Sequence, residues 1–472
     1  MDEPRDDIDI WLSERVKPLL PNPGTFERIR KRARRRKLAQ VGIAAGGAAV
    51  IVAAAVTVPH FVISPVRPTG STAVPVTSGR GTPTPQPTHS ATPSPTPSAS
   101  SPSPSATSAA PPPVPANFAP SSITFVSTGV GWVIGQAGTP GKCTGPNPNI
   151  CTSLAMTSNG GATWQGMPAP VAGPPEGARG VSQVRSLDGV NGWAFGPQLY
   201  ATHNGGQTWT RIDTHGMRVT DLETVSGHTF AVWARCTGTG PGFAAGCTSF
   251  SLYSTPAGQD QWSPVPGVTG LTSGVIIGGT QAASSAQLVL TGSRGYLLAP
   301  NGAVYSGPVT STAGWRPALG HGSPRIGCGL PGPAQANGVP SRSMLAATGT
   351  GLVELCAAQS PRKVVVYSPD GGQTWQPAGS APPAGTATSL SGTPTGQVLV
   401  ATTTGIDVSA NVAGRRDGLR WRTVNGAALP GGFSYVGMTT SAQGVAIPAD
   451  TSMHALWFTY DGGRHWQESV VH

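Results

Sequence analysis

The sequence predicts an all-β fold, a seven-bladed β-propeller, and three observations predict it. Thr157 to Trp164, Thr202 to Trp209, Ser368 to Trp375 and Thr459 to Trp466 share the pattern S/T-x-D/N-G-G-x-T/H-W. A Trp closes each copy and recurs through the rest of the region at comparable spacing. From Asn117 onward the chain consists of short apolar runs between Gly- and Pro-rich turns, with hardly any helical periodicity. An Asp or Asn followed by Gly-Gly tolerates positive φ and bonds neighbouring amides, so each copy reads as a tight hairpin turn whose Trp opens the return strand. A turn repeated about every 45 residues is the mark of a propeller, in which each four-stranded blade buries its faces only against its neighbours.

Three weaker copies complete the count: Tyr253 to Gly258 leading to Trp262, Pro300-Asn301-Gly302 leading to Trp315, and Val408 to Asn411 leading to Trp421. The Trp ladder is then 164, 209, 262, 315, 375, 421 and 466, which makes seven units. A second element lies upstream of each turn, clearest in Ser127 to Gly135 and Asp188 to Gly196, with related runs at Leu288 to Thr291, Leu345 to Ala347, Val398 to Ala401 and Val445 to Ile447. A turn followed by a short apolar strand suits the inner part of a blade, where backbone crowds the channel. The last unit ends at the C-terminus, so the segment Ser122 to Val126 must either pair with blade seven or start blade one. The pattern leaves both open.

The preceding 116 residues divide by composition. Residues 1–37 carry 7 acidic and 11 basic side chains, eight of the basic ones between Arg28 and Lys37, and read as a cytoplasmic basic tail. Residues 38–63 contain the uncharged run of residues 41–58, and with its flanks this reaches the ~20 residues of a membrane-spanning helix. The basic block on its N-terminal side places that end in the cytoplasm and everything beyond the span outside it. A cleavable signal peptide is the rival reading, although its charged n-region is ordinarily much shorter than this tail. Gly42 and Gly46 form a small-xxx-small pair through which two helices could meet in a weak homodimer. Residues 64–116 are rich in Pro, Thr and Ser and poor in large apolar side chains, as expected of a disordered, extended stalk. Residues 117–472 form the extracytoplasmic head.

All six cysteines, 143, 151, 236, 247, 328 and 356, lie beyond the membrane segment, where an even count suggests disulfides. Local pairing is expected: Cys143 with Cys151, Cys236 with Cys247, Cys328 with Cys356. Neither C-x-x-C nor a neighbouring His pair accompanies them, so no metal site is expected. Beyond residue 37 there are 19 basic and 13 acidic residues, spread thinly, whereas a nucleic-acid surface requires a basic stripe.

The four turns resemble Asp-boxes, the repeats of bacterial neuraminidases, and together with the G-W-x-x-G strands they are most similar to the photosystem II assembly/stability factor-like branch of those propellers. The resemblance spans about residues 118–470 and implies a propeller of protein-binding type. Asp-box propellers also include sialidases, xyloglucan hydrolases and sorting receptors. Sialidase similarity would imply an Arg-Ile-Pro motif near the start of the domain, an arginine triad and a Tyr-Glu pair. Pro324-Arg325-Ile326 has the wrong order and lies mid-chain.

The resemblance assigns the candidate residues a structural role: Thr157, Asn159, Gly161 and Trp164; Thr202, Asn204, Gly206 and Trp209; Ser368, Asp370, Gly372 and Trp375; Thr459, Asp461, Gly463 and Trp466. Two of the four acidic positions are Asn, which cannot act as a carboxylate, so these groups are expected to bond their own turns. The once-per-blade Trp is expected in the core between blades rather than as a sugar platform. Glu176, Glu223, Glu354 and Glu468, with Asp188, Asp221, Asp260, Asp407 and Asp450, are the carboxylates from which a glycosidase pair would have to come, and no catalytic residue is assigned. The function expected is that of a membrane-anchored binding or assembly scaffold for a protein or glycan, without a cofactor. Its insertions Gly135 to Ile150, Arg235 to Thr248 and Ser323 to Ser343 are the places to look for a partner. The alternatives are a sialidase-like exo-glycosidase and an envelope sensor signalling through the cytoplasmic tail.

Overall fold

A computed structural model describes residues 112–472, apart from short segments at 139–141, 144–150, 174–178, 226, 237–245, 273–285, 301, 311–313, 319–342, 357–362, 415–416 and 425–431. The tail, the expected membrane span with Gly42 and Gly46, most of the linker, and Cys328 lie outside the described residues. Among the described residues no helix is long and apolar enough to cross a membrane.

Among the described residues twenty-nine strands form seven sheets. Blade 1 holds β1 (Phe118–Phe125), β2 (Gly131–Ala137), β3 (Thr152–Thr157) and β4 (Gln165–Met167), and blade 2 holds β5 (Gln183–Ser186), β6 (Gly192–Phe195), β7 (Leu199–Thr202) and β8 (Thr210–Arg211). Blade 3 has β9 (Arg218–Val225), β10 (His228–Cys236), β11 (Cys247–Pro256) and β12 (Ser263–Pro264), with a fifth strand, β13 (Leu271–Thr272), also on β11. Blade 4 follows with β14 (Gln287–Leu290), β15 (Arg294–Leu298), β16 (Val304–Pro308) and β17 (Arg316–Pro317), then blade 5 with β18 (Met344–Thr348), β19 (Gly351–Cys356), β20 (Val364–Ser368) and β21 (Gln376–Pro377). Blade 6 comprises β22 (Ala387–Gly392), β23 (Val398–Thr402), β24 (Gly405–Ser409) and β25 (Trp421–Val424), and blade 7 comprises β26 (Phe433–Met438), β27 (Gly444–Pro448), β28 (Ala455–Thr459) and β29 (Gln467–Val470). Between these strands the pairing is antiparallel and consecutive, except that β13 returns to β11, and two isolated parallel bridges, Gly173 with Gly180 and Gly379 with Leu419, lie outside them.

This meander sorts the connections onto two faces. First-to-second and third-to-fourth turns emerge together, and in six blades they are tied: the N–H groups of Gly160, Gly205, Ala257, Val309, Ala413 and Gly462 donate to the carbonyls of Gly129, Val190, Gly227, Ser293, Gly396 and Ala442. We call this the turn face. Second-to-third hairpins and the blade-to-blade connections emerge on the opposite, loop face, where Gln198, Thr403 and Ala449 donate to Gly180, Thr386 and Gly432.

The core lies between blades. The buried apolar residues fall into seven clusters, and each joins two consecutive blades, the last joining blade 7 to blade 1. On β23, Val398 and Val400 pack toward blade 5, while Leu399 and Ala401 pack toward blade 7. Strand periodicity is therefore intact, but both faces are covered, and most second strands read as largely apolar runs, with Glu354 of β19 a buried exception. The ladder Trp of each blade packs against the preceding blade: Trp164 at 7–1, Trp209 at 1–2, Trp262 at 2–3, Trp315 at 3–4, Trp375 at 4–5, Trp421 at 5–6 and Trp466 at 6–7.

The open question of closure is answered by β1, which starts blade 1 and pairs with β2 only. Among the described residues no strand is exchanged across the 7–1 seam. Side chains hold it instead: Phe125 meets Phe458 edge to face with centroids 6.0 Å apart, Gln443 Nε2 donates to Thr128 O (2.8 Å), the Tyr460 hydroxyl to Gly160 O (3.1 Å) and the Ser469 hydroxyl to Gly161 O (2.7 Å).

Two details of the sequence reading are corrected. Pro300 and Gly302 fall between β15 and β16, whose connection leaves from the loop face, with Asn301 outside the described residues; the connection that leads to Trp315 follows β16 instead. The apolar run upstream of each turn is the second strand in blades 1, 2, 6 and 7, but Leu288 and Leu345 belong to the innermost strands β14 and β18. Length and hydrophobicity are alike for the two positions because both are buried.

Trp315 shows how closely the interface is fitted. It is 1% exposed, lies 5.5 Å from Phe230, and rests where Cβ atoms on Gly295 and Gly307 would come within 2.2 and 2.1 Å of its ring. Trp315→Ala is expected to lower unfolding free energy by about 4 kcal/mol. Gly307→Ala, ordinarily mild in a strand, is expected to be destabilising because its methyl needs the space of the indole. In the double variant the two losses should be markedly less than additive, measured by denaturant unfolding.

Candidate functional site

The four Gly-Gly turns share one network on the turn face. A hydroxyl at the first position (Thr157, Thr202, Ser368, Thr459) accepts the N–H of Gly161, Gly206, Gly372 or Gly463 at 2.7–2.9 Å and donates to the side-chain oxygen of Asn159, Asn204, Asp370 or Asp461 at 2.8–3.0 Å. That oxygen accepts the N–H of Thr163, Thr208, Thr374 or His465 at 2.8–3.0 Å. Both glycines of each turn have φ between 70° and 93°, the left-handed region that a side chain strains. Asn and Asp serve equally because one oxygen takes the backbone N–H while the second terminal atom, Nδ2 of Asn159 and Asn204 or Oδ2 of Asp370 and Asp461, bonds the side chain of Thr163, Thr208, Thr374 or His465. Partial desolvation pushes the Asp461 carboxyl up, but the His465 backbone and ring, the Thr459 hydroxyl and the Arg464 N–H hold it well below the usual carboxylate range.

At the ring axis the innermost strands are laced by side chains. Ser122 and Thr124 accept the N–H groups of Val184 (3.2 Å) and Ser186 (3.3 Å), and the Thr224 hydroxyl donates to Ser186 O (3.2 Å). Asp221 Oδ2 accepts Leu288 N–H at 2.7 Å, Gln287 exchanges two bonds with the Leu345 backbone, and the Thr388 hydroxyl donates to Phe433 O. Most seams are thus tied at the axis by a polar side chain holding the next blade's backbone.

One cluster here combines charges from several blades. Arg185 Nε donates to Glu223 Oε1 at 2.9 Å, and its Nη1 reaches Val184 O and the Ser122 hydroxyl. Burial lowers and the Glu223 carboxylate raises the affinity of this guanidinium for its proton, with Tyr435 and Asp221 adding to the rise; the net effect keeps it charged. Asp221 is pushed up to about 7 by burial and by Glu223, against the Leu288 N–H, Arg185 and the Leu222 N–H. Burial also pushes the Tyr435 hydroxyl up. Asp221 and Glu223 stand two apart on β9, so strand geometry puts both on one side. Sequence reasoning counted both carboxylates but missed Arg185; the D-x-E spacing on a strand was the usable signal.

The other carboxylates are dispersed. Asp188 accepts N–H groups of Val190 and Asn191 in a turn, Asp260 pairs with His203 (3.1 Å), and Asp407 is buried on β24, holding Ala384 N–H and the Thr423 hydroxyl. Asp450 caps a 3-10 turn, Glu354 is buried on β19, Glu468 is exposed on β29, and Glu176 lies outside the described residues. Among the described residues no His, Cys, Asp and Glu group could hold a metal ion.

The three insertions all leave from the loop face. Gly135 to Ile150 lies in the β2–β3 connection, Arg235 to Thr248 joins β10 to β11, and Ser323 to Ser343 falls between β17 and β18. Disulfides Cys143–Cys151 and Cys236–Cys247 close the first two at their bases. Cys356, at the loop-face end of β19, is also disulfide-bonded.

No family model matches the sequence, and no curated protein matches it. Among solved structures the propeller is similar to YCF48 bound to a D1 peptide (15% identity, TM-score 0.44, covering 77% of this chain and 96% of that one) and to YCF48 from Cyanidioschyzon merolae (13%, TM-score 0.42, 61% and 85%). It is also similar to a puromycin-hydrolyzing peptidase of Mycobacterium tuberculosis (10%, TM-score 0.48, 76% and 55%). Resemblances of this degree carry no inference about ligand or activity.

The axis cluster has a measurable signature. With its carboxyl at about 7, folded Asp221 keeps a proton that the unfolded chain has released above about pH 4, so stability falls as pH rises from about 4 to 7. Asp461 and Asp370, held low, act only below that window. Asp221→Asn is expected to flatten the decline in thermal unfolding temperature over this range.

Proposed function

We propose that the chain is a membrane-anchored, extracytoplasmic binding scaffold whose propeller presents its loop face to a protein or glycan partner. The observation that carries this reading is that the strand ends from which Gly135 to Ile150, Arg235 to Thr248 and Ser323 to Ser343 depart lie on one face, and that disulfides bridge two of these insertions. The opposite face spends its turn oxygens on its own backbone. A loop stapled to a rigid ring loses less conformational freedom on binding than a free one, which is how such a surface gains affinity. The anchor and the compartment rest on residues 38–63 and the basic block before them, and disulfides suit an exported head. The identification of the four turns as Asp-boxes is supported by their common hydrogen-bond network.

A second reading, a glycoside hydrolase, is favoured by one observation: Asp221, raised to about 7, stands beside Glu223 at the axis, as an acid/base pair would. Against it, Glu223 is engaged by Arg185 and Asp221 by two backbone N–H groups.

The full chain, tested on a glycan array and by cross-linking in the native envelope, is expected to capture a partner. Replacing Cys143 and Cys151, or Cys236 and Cys247, by Ser should weaken capture about tenfold while the propeller still unfolds cooperatively. Turnover of fluorogenic glycosides that Asp221→Asn abolishes would instead establish the second reading.

A further inference from the structure

Six of the seven seams join blades that are consecutive in the chain, whereas among the described residues blades 7 and 1 are joined by neither backbone nor a shared strand. The segment just upstream of β1 lies on this seam. Gly166 N–H, which the register with Ala155 turns away from β3, donates to Pro112 O at 2.8 Å on the outer edge of blade 1. A Cβ on Gly166 would sit 2.4 Å from Pro113 O, so the glycine is what lets this segment approach. Two residues on, Val114 is 8% exposed and belongs to the cluster in which Phe118, Ile123 and Trp164 of blade 1 meet Val445, Leu456, Phe458 and Val471 of blade 7.

We propose that Pro112–Val114 is a strap that closes the propeller ring, and that the 7–1 seam is the part of the head that opens first when the strap is displaced. The physical case has three parts. The strap supplies the edge of β4 with an acceptor for a donor that would otherwise face solvent. Its valine plugs the one interface without covalent help. Its prolines have no N–H to offer, so the covered edge cannot template a further strand. The linker is thereby part of the fold at its root, and the head's packing extends upstream of residue 117. Closure of the ring becomes coupled to the linker: whatever cuts or peels it at this point releases the seam.

The test uses the full chain with Gly166→Ala and, separately, Val114→Asp. Gly166 does not occupy the left-handed region, so its methyl reports the strap contact rather than backbone strain. Val171→Asp, at a position 72% exposed on the connection between blades 1 and 2, is the control. Unfolding temperature is expected to fall by about 5 °C in Val114→Asp, by less in Gly166→Ala, and not in the control. In native-state hydrogen exchange, the amides of β1, β4, β28 and β29 should exchange at least tenfold faster in both strap variants, with blades 3 to 5 unchanged. Unaltered exchange at the seam would overturn the proposal. So would acceleration spread evenly over all seven blades, which would make Val114 an ordinary core residue.

Discussion

A blade of four strands has two apolar faces and no means of covering either alone, and everything else in this head follows from that. The second strand of each blade is buried on both sides, with alternate residues assigned to alternate neighbours, as Val398 and Leu399 show. Stability therefore resides in seven interfaces rather than in seven sheets. The ladder Trp is the recurrent unit of those interfaces. It sits where the fourth strand begins because there an indole can lean onto the preceding blade without leaving its own. The glycines beneath Trp315 belong to the same economy, since close packing at native density leaves no room for a methyl where a ring already lies.

A ring of such interfaces must still close, and among the described residues it closes by contact rather than by strand exchange. The polar counterpart of the apolar seams is the lacing at the axis, where hydroxyls, an amide and a carboxylate bond the next blade's backbone. Asp221 belongs to this lacing through Leu288, and its elevated proton affinity follows from doing so in a buried place beside a second carboxylate. The groups that most resemble chemistry in the linear sequence are thus largely occupied in holding the architecture. What remains free to vary lies on the loop face, where insertion length costs the ring little.

The local features were legible because their causes are local. The four Gly-Gly turns could be read because hydroxyl, amide oxygen and glycine N–H all fall within a few residues of one another. Two disulfides could be read because the partners lie 8 and 11 residues apart at the ends of single hairpins. The same locality misleads at Pro300-Asn301-Gly302, where the turn signal is genuine but says nothing about which of two faces the hairpin occupies. Arg185 and Glu223 are 38 residues apart, on neighbouring blades, and no period in the chain announces their meeting.

By itself the sequence determined the repeat, its number, the turn chemistry and the division of the chain into compositional regions, because periodicity and turn propensity act over a few residues. Only the tertiary structure decided how blade 7 meets blade 1, that the strand ends leading into the long insertions lie on one face, that Asp221 is held by a neighbouring blade, and that Val114 belongs to the core. Each of these depends on which surfaces face one another once the ring has closed, and contact between residues hundreds of positions apart leaves no trace in a pattern that repeats every few tens.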